Sequence, residues 1–294
     1  MASDNGYAPY LTTALYSLLV HTKRDCVIHI FDGNLSLSNK EKILTMSQSF
    51  PNAQIIFTPV DQHFFKNFPI IKHFSINTYF RYLIADIAPT LKKALWVDCD
   101  MLITSDIGSL WDIDLKDKCL GAVPYLYEKK QYRHSNICAG ILKLKQNLGL
   151  PAKHTYFNAG LLLLNLDYWR QNNWTKKLFD LTLEKKDLLE CADQDILNIV
   201  SQNNYLILPD TYNSIVDINY ILKREPKNLP HIIHFTGGNS LRPWIARNCP
   251  YRDLYYSYAL KTPFKDFFLE KEKALISVQV EQEKRYGRLI RFFF

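Results

Sequence analysis

The stretch "LWVDCDMLITSDIGSLWDIDL", residues 95–115, decides the fold, because an apolar run there ends in two aspartates separated by one residue. The apolar run predicts a buried β-strand, and Asp98 and Asp100 lie just past its end. Side chains at i and i+2 of a strand point to the same side, so the two carboxylates converge if the strand geometry persists. Ligands of open parallel sheets collect outside the carboxyl ends of the strands, and two close carboxylates repel each other unless a cation separates them. The pair therefore predicts a divalent metal site, although surface or helix-capping aspartates give the same tripeptide and are, on this tripeptide alone, the favoured interpretation.

On both sides of this stretch, short β-rich runs alternate with helical patterns, which predicts an α/β fold with a mainly parallel central sheet. The predicted strands cover 26–33, 54–60, 93–98, 119–125 and 156–166. The predicted helices cover 9–20, a segment capped by Ser38 with Glu41 completing a capping box, and 76–89.

Composition restricts the class of protein. The chain has 294 residues, 47% of them hydrophobic and 22% charged, as in ordinary globular proteins. The net charge of +7 favours anionic partners such as phosphates, nucleic acid or acidic membrane. The cysteines are scattered without a C-x-x-C pair, which argues against a zinc site or a disulfide framework. No apolar run is long enough to cross a bilayer and the start lacks a basic leader, so we expect a cytoplasmic protein.

The character of the sequence changes at about residue 246. Residues 246–294 are aromatic and basic, with a helical pattern, and we expect them to form a tail separate from a domain at 1–245. The tail ends in four basic residues and three phenylalanines: Lys284, Arg285, Arg288, Arg291 and Phe292–Phe294. It would suit peripheral attachment to an anionic membrane surface, and equally a helix that packs on the domain or on a partner.

Three further stretches place polar residues at the ends of predicted elements. "YFNAGLLLLNLDYWR" (156–170) puts an Asn-Ala-Gly sequence at a buried strand, and "CADQDILNIV" (191–200) packs two acids and an amide at a helix start. "HIIHFTGGNSLRPW" (231–244) ends an apolar strand in His234. Each alone has a plain explanation: a turn glycine, a helix cap or a hydrogen-bonded core histidine.

Together, and in this order, these stretches resemble glycosyltransferase family 8 over residues 2–245. "ASDNGYAPYL" and "HFSINTYFRYLIADIAP" complete the ordered motifs, and their number makes the resemblance specific. The resemblance implies a GT-A fold and a metal-dependent retaining transferase, like the galactosyl- and glucosyltransferases of bacterial lipopolysaccharide.

The resemblance also implies a metal site. Asp98, Asp100 and His234 would bind Mn²⁺, with Mg²⁺ as the alternative, because a histidine ligand suits Mn²⁺ better. The ion would bridge the diphosphate of a UDP-sugar and neutralise the charge that builds on the leaving UDP. Arg242 stands where family members usually carry a lysine that contacts the diphosphate, and backbone N–H groups around Gly237 would line the same anion site.

Further residues are assigned to the donor by the same resemblance. They are Asp4, Asn5 and Tyr7 for uracil and ribose, Cys99 within the aspartate motif, Thr78 and Arg81 near the nucleotide and sugar, and Asn158 and Ala159 beside the sugar. Gln194 matches the family position that faces the reacting carbon, and we expect it to position the sugar or stabilise an oxocarbenium ion. Asp193 is the nearest acid and the alternative candidate. Both a covalent intermediate and a same-face attack with UDP as the base stay open.

Two departures from the family pattern bear on function. Pro124 and Tyr125 stand where some members carry an aspartate that contacts the donor hexose, and 126–155 predicts a lid or acceptor loop. Both UDP-galactose and UDP-glucose therefore remain candidate donors. Only Met1 precedes Ala2, where members have an apolar strand, so we expect most of the first strand to be missing, through an upstream natural start or through truncation.

The leading prediction is a hexosyltransferase that acts on an oligosaccharide or lipid-linked glycan in lipopolysaccharide biosynthesis, at the cytoplasmic membrane face. The alternative is a truncated, weak or inactive UDP-sugar-binding protein. A nucleotidyltransferase of similar fold would need a glycine-rich, basic phosphate loop near the N-terminus, which is absent from the sequence. No stacking motif or basic recognition helix is visible in the sequence, so we expect no nucleic-acid partner.

Overall fold

The structure is a computed structural model that describes residues 1–71, 74–125, 136–151, 153–223, 226–236 and 241–277. The strands are, in chain order, β1 (Ala2–Asp4), β2 (Cys26–Gly33), β3 (Ala53–Pro59), β4 (Lys93–Val97), β5 (Met101–Ile103), β6 (Leu120–Pro124), β7 (Phe157–Asn165), β8 (Tyr205–Ile207), β9 (Ser214–Ile215) and β10 (Ile232–His234). The α-helices are α1 (Ala8–His21), α2 (Leu37–Ser47), α3 (Ile84–Ile87), α4 (Gly108–Asp112), α5 (Asn136–Asn147), α6 (Leu166–Gln171), α7 (Trp174–Glu184), α8 (Asp193–Ser201), α9 (Val216–Ile221) and α10 (Arg252–Ala259).

The strands form three hydrogen-bonded groups. The order β1-β2-β3 is parallel throughout, as the sequence predicts. The order β4-β7-β6-β8 is mixed, because β7 runs antiparallel to β4 and β6. In the order β5-β10-β9, β10 is antiparallel to β5 and parallel to β9. Strand β7 is apolar on both faces and buried along almost its whole length, as expected for a strand covered on both sides.

The segment that follows β4 joins two of these groups. The backbone N–H of Asp98 donates to Gly160 of β7 at 2.9 Å, and the N–H of Phe235, just after β10, donates to the carbonyl of Asp100 at 2.9 Å. Both backbone contacts fix the aspartate motif at the junction of the groups. The junction therefore brings the ends of β4, β7 and β10 together, although they are far apart along the chain.

One local prediction is wrong. The cap of α2 is Ser36, whose hydroxyl accepts from the N–H of Asn39 at 3.2 Å, and Ser38 lies inside the helix. The segment predicted as helical over 76–89 is a 3-10 helix at Ile76–Leu83 that continues as α3, so its helical character is confirmed and its first part is more tightly wound than an α-helix. The tighter winding matters for the site, because this segment carries Thr78 and Arg81.

The two ends of the described chain pack on the same core. Strand β1 is three residues long and pairs in parallel with β2. Helix α10 contacts α1 through aromatic side chains, with the rings of Tyr16 and Tyr258 6.4 Å apart and Tyr255 fully buried. Trp244, which precedes α10, packs on Tyr10 of α1 at 4.3 Å. A further helix covers 265–277, and its buried Phe268 joins this cluster. The part of the tail up to 277 thus packs on the domain, whereas Lys284 to Phe294 lie outside the described residues.

Candidate active site

The predicted metal ligands come together. Ligand atoms of Asp98, Asp100 and His234 all lie within 4.8 Å of one another. The aspartates follow β4 and His234 ends β10, so the junction described above places them. The sequence prediction that these three residues share one spot is therefore confirmed in geometry.

His234 is held tightly from two sides. Its ring is 2% exposed, and its Nδ1 lies 2.8 Å from Oδ1 of Asn213, which directly precedes β9. The ring packs against Gly160, where a Cβ would lie 2.9 Å from Nδ1 and would overlap Cε1. A glycine in the middle of a buried strand is explained here by this close approach of the imidazole.

Asp98 lies in a cationic and hydrogen-bonding environment. Its Oδ1 accepts from the indole N–H of Trp96 at 2.6 Å and from Arg81 at 3.1 Å. The guanidinium of Arg81 also stacks over the Trp96 ring, 4.5 Å from its centroid. Burial raises the pKa of Asp98, Arg81 opposes this effect, and the negative charge of Asp100 reinforces it.

The pKa of Asp100 shifts in the opposite direction to that of Asp98. Burial alone would raise the pKa of Asp100, but His234 and Arg242 outweigh burial and lower it below its usual value. Nε2 of His234 lies 3.1 Å from Oδ1 of Asp100, and the guanidinium of Arg242 is 3.7 Å from Oδ2. Arg242 also donates to the hydroxyl of Tyr7, which connects the turn after β1 to the aspartates.

The three residues fit a divalent ion. Ligand atoms around one ion at bond lengths of about 2 to 2.5 Å are at most about 5 Å apart, which matches the cluster. The imidazole nitrogen and the carboxylate oxygen of Asp100 face each other, so a proton or a cation must lie between them. Two carboxylates and one imidazole are a mixed oxygen and nitrogen ligand set, as first-row transition metals accept.

Beside the cluster, Arg81 bridges two acids. Its side chain is 4% exposed, and its Nε lies 2.9 Å from the carboxylate of Asp193, which starts α8. Arg81 also donates to the carbonyl of Ala159, and Thr78 donates to Asp193. Burial raises the pKa of Asp193 to about 6, while Arg81 and Thr78 act in the opposite direction. The predicted donor residues Thr78, Arg81, Ala159 and Asp193 thus form one connected group.

Gln194 is held by a buried network of amides. Its Oε1 accepts from the side chain of Asn158 and from the backbone N–H of Ala159, each at 3.0 Å. Its Nε2 donates to the hydroxyl of Tyr156 at 3.1 Å, and Tyr156 donates to Asp195. The network gives Gln194 a fixed orientation beside the metal cluster.

The predicted uracil and ribose residues occupy the turn after β1. Asp4 accepts from the N–H of Tyr7 at 2.9 Å, and Oδ1 of Asn5 accepts from the N–H of Ser36 at 3.0 Å. Asn5 therefore binds the start of α2 through its side chain. The thiol of Cys99 faces β1 and donates to the carbonyl of Ala2 at 2.9 Å, so a nucleotide contact by Cys99 would come from its backbone. Gly237 lies outside the described residues.

Several residues of the site were not predicted. They are Trp96, Tyr156, Asp195 and Asn213. Tyr125, noted in the sequence as a departure, accepts from the amide of Asn158 at 3.2 Å and so lies at the sugar end of the predicted donor site. Trp96 and Asp195 lie within motifs quoted above, but only the fold shows that their side chains turn towards the predicted residues.

The chain matches the model of Glycosyl transferase family 8 over residues 1–247 and belongs to that family. The family predicted from the sequence motifs is therefore confirmed.

Known proteins and solved structures resemble this chain over most of its length. General stress protein A of Bacillus subtilis is 27% identical over 274 residues, which cover 87% of this chain and 90% of that protein. Lipopolysaccharide 1,3-galactosyltransferase of Salmonella typhimurium is 24% identical over 235 residues, covering 77% of this chain and 66% of that protein. The structure of galactosyltransferase LgtC in complex with donor and acceptor sugar analogs superimposes with a TM-score of 0.74 at 26% identity, covering 89% of this chain and 95% of that one. This similarity confirms the predicted GT-A fold.

Proposed function

We propose that the protein is a Mn²⁺-dependent, retaining hexosyltransferase that transfers galactose or glucose from a UDP-sugar to a glycan acceptor. The observation that carries the proposal is the convergence of Asp98, Asp100 and His234 within 4.8 Å in a chain of this family. Mg²⁺ is the alternative ion, and the histidine ligand favours Mn²⁺.

The ion would be held by these three side chains and would supply positive charge for a diphosphate leaving group. Arg242 lies on the same side, 3.7 Å from Asp100, and its guanidinium adds a fixed cation for the phosphates. Tyr7 receives a hydrogen bond from Arg242, so the turn predicted to bind uracil and ribose is aligned with the phosphate site.

The geometry of the two candidate catalytic residues favours a same-face attack. A covalent intermediate needs a carboxylate that can approach the sugar carbon. The carboxylate of Asp193 is 2% exposed and bound by Arg81 and Thr78, and the carbonyl oxygen of Gln194 already accepts two hydrogen bonds. We therefore assign Gln194 to positioning or oxocarbenium stabilisation, and Asp193 to holding Arg81. A solved active-site mutant of LgtC carries a glutamine-to-glutamate exchange, which supports an active-site glutamine in this fold.

The acceptor is proposed from the relatives. One is named a lipopolysaccharide 1,3-galactosyltransferase, and LgtC is a galactosyltransferase, so a glycan of lipopolysaccharide is the favoured acceptor. Tyr125 at the sugar end departs from the family pattern, which keeps glucose beside galactose as the donor sugar. Along 1–71, 74–125, 136–151, 153–223, 226–236 and 241–277, every helix is too short or too polar to cross a bilayer. We place the enzyme at the cytoplasmic membrane surface, with the basic residues 284–291 as the contact to anionic lipid.

A UDP-release assay with a panel of UDP-sugars tests the proposal. Wild-type protein should release UDP from one donor in a Mn²⁺-dependent manner, and Asp98→Ala should lose about 100-fold or more of this rate, because a charge-stabilising ligand is removed. Asp112→Ala is the matched control, since Asp112 is an exposed carboxylate paired with Arg24. Equal UDP release by wild type and Asp98→Ala contradicts the metal assignment. Donor binding without any release supports the inactive binder instead.

A further inference from the structure

Asn213 connects the proposed metal ligand to the centre of the donor site. It is 3% exposed and its side chain has two neighbours, His234 at 2.8 Å and Asn158 at 2.8 Å. The oxygen of a buried side-chain amide must face a hydrogen-bond donor, and its nitrogen must face a hydrogen-bond acceptor. Backbone N–H groups of the site decide whether the oxygen or the nitrogen of the Asn213 amide faces His234.

A backbone contact fixes the orientation of the Asn158 side-chain amide. The backbone N–H of Gly160 donates to its side chain at 2.9 Å, and a backbone N–H can only donate, so the atom it meets is Oδ1. The N–H of Ala159 fixes Gln194 in the same manner at 3.0 Å, so the oxygen of Gln194 faces the nitrogen of Asn158. The two assignments are independent of each other and they agree.

The orientation of Asn158 determines the orientation of Asn213, and Asn213 in turn determines which nitrogen of His234 is protonated. Oδ1 of Asn158 also meets the side chain of Asn213, which must therefore present Nδ2, at 2.8 Å. The oxygen of Asn213 then faces Nδ1 of His234, and Nδ1 must carry the proton. Nε2 points towards Asp100 and, because Nδ1 holds the other proton, Nε2 is the nitrogen that can offer its lone pair to a metal ion bound beside Asp100.

The amide of Gln194, at the other end of this series of hydrogen bonds, is also fixed in orientation. The nitrogen of Gln194 donates to Tyr156, and Tyr156 donates to Asp195. Asp195 also accepts from the backbone N–H groups of Glu190 and Cys191 at 2.7 and 2.8 Å. Every amide orientation is thus imposed by backbone N–H groups at one end or by a carboxylate at the other.

We infer that Asn213 and Asn158 are positioning residues of an amide relay (His234, Asn213, Asn158 and Gln194) that sets the tautomer of the metal-ligating histidine and the orientation of Gln194 together. The inference rests on the proposed function for the role of the metal, whereas the tautomer is a property of the protein alone.

Histidine NMR tests the tautomer without metal. In ¹⁵N-labelled wild type, Nδ1 of His234 should stay protonated up to alkaline pH, whether a proton or a cation lies between Nε2 and Asp100. In Asn213→Ala, Asp100 is the remaining strong acceptor beside the ring, so the proton should move to Nε2. A wild-type His234 without a proton on Nδ1 overturns the inference, whatever the enzyme's activity.

Two variants separate the two tasks of Asn213. Asn213→Ala removes both contacts and should weaken Mn²⁺ binding about 10- to 100-fold, as outer-shell changes do. Asn213→Asp keeps an oxygen towards His234 but cannot donate to Asn158, so Mn²⁺ affinity should stay within about threefold of wild type while kcat falls about 10-fold or more. Asn165→Ala is the control, because Asn165 lies at the far end of β7 and bonds to the backbone at 116–118.

Mn²⁺ titration by electron paramagnetic resonance and thermal melting are recorded for each variant. Equal Mn²⁺ affinity and equal kcat in Asn213→Asp and Asn213→Ala, in folded proteins, overturn the division of tasks. If wild type itself does not bind Mn²⁺, the proposed metal function fails, and the NMR result still decides the tautomer.

Discussion

Gly160→Ala tests the site most directly, because it adds one methyl group against the proposed metal ligand. The added Cβ would lie 2.9 Å from Nδ1 of His234 and 2.8 Å from the methyl carbon of Met101. Ordinary carbon contacts lie at about 3.5 to 4.0 Å, and Cε1 of the ring is nearer to the added Cβ than Nδ1 is, so the imidazole has to retreat by about 1 Å or more. Met101 can move its flexible end, whereas the ring of His234 is 2% exposed and bound to Asn213.

The expected result has two parts. Overpacking in a buried strand should lower the free energy of unfolding by about 1 to 3 kcal/mol. The displaced imidazole should weaken Mn²⁺ binding at least about 10-fold, the lower range for changes that disturb ligand orientation. Urea unfolding measures the first quantity, and a Mn²⁺ titration under native conditions measures the second.

Gly140→Ala is the matched control. A Cβ at Gly140 meets nothing within 4 Å, and the residue lies in the exposed part of α5. Alanine there should leave Mn²⁺ affinity unchanged and raise stability by about 0.5 to 1 kcal/mol, because glycine is unfavourable inside a helix. A folded Gly160→Ala protein with wild-type Mn²⁺ affinity would refute the packing of His234 against β7.

The other predictions concern stability. Arg170 donates to three backbone carbonyls of the segment 85–91, so Arg170→Met should lower the free energy of unfolding by about 2 kcal/mol in a urea titration and leave Mn²⁺ binding unchanged. Burial raises the pKa of Asp193 to about 6, whereas the unfolded chain releases this proton near pH 4. Ionising Asp193 therefore lowers the free energy of unfolding as the pH rises from about 4 to about 6, and this decrease should be absent in Asp193→Asn. An equal change of the free energy of unfolding with pH in wild type and Asp193→Asn over this range would contradict the assignment.

The convergence of the metal ligands could be predicted from the sequence, but only in part from periodicity. Alternation along a strand predicts that Asp98 and Asp100 share a side. Nothing in the spacing places His234 beside them, since it arrives from the other end of the chain through the pairing of β10 with β5. That assignment came from the resemblance to the family, and the fold then supplied its geometric reason.

Local errors had local causes. Ser36 and Ser38 are both suitable caps, and Glu41 three residues after Ser38 favoured the wrong one. Residues three apart lie on the same face of a 3-10 helix and of an α-helix, so the helical pattern of Ile76–Leu83 did not reveal which of the two forms there.

Asn213 could not be predicted at all. It stands in "DTYNS", where an asparagine is an ordinary turn residue, and it carries no charge that would mark it as functional. Its role depends on two contacts with residues 21 and 55 positions away in the chain. The pairing of β9 with β10 brings Asn213 beside His234, and Asn158 meets it from β7.

The position of Arg81 between Asp98 and Asp193 has a consequence for the order in which molecules bind. Together with Asp100 and Arg242, these side chains form a group of three carboxylates and two guanidinium groups, whose surplus of negative charge would attract a metal ion first if the proposed function holds. Under the proposed function, a divalent ion would reverse the sign and recruit a diphosphate, whose charge would make the site negative again. Each arrival would then prepare the field for the next one, and the spent nucleotide would leave without having to escape a surplus of positive charge.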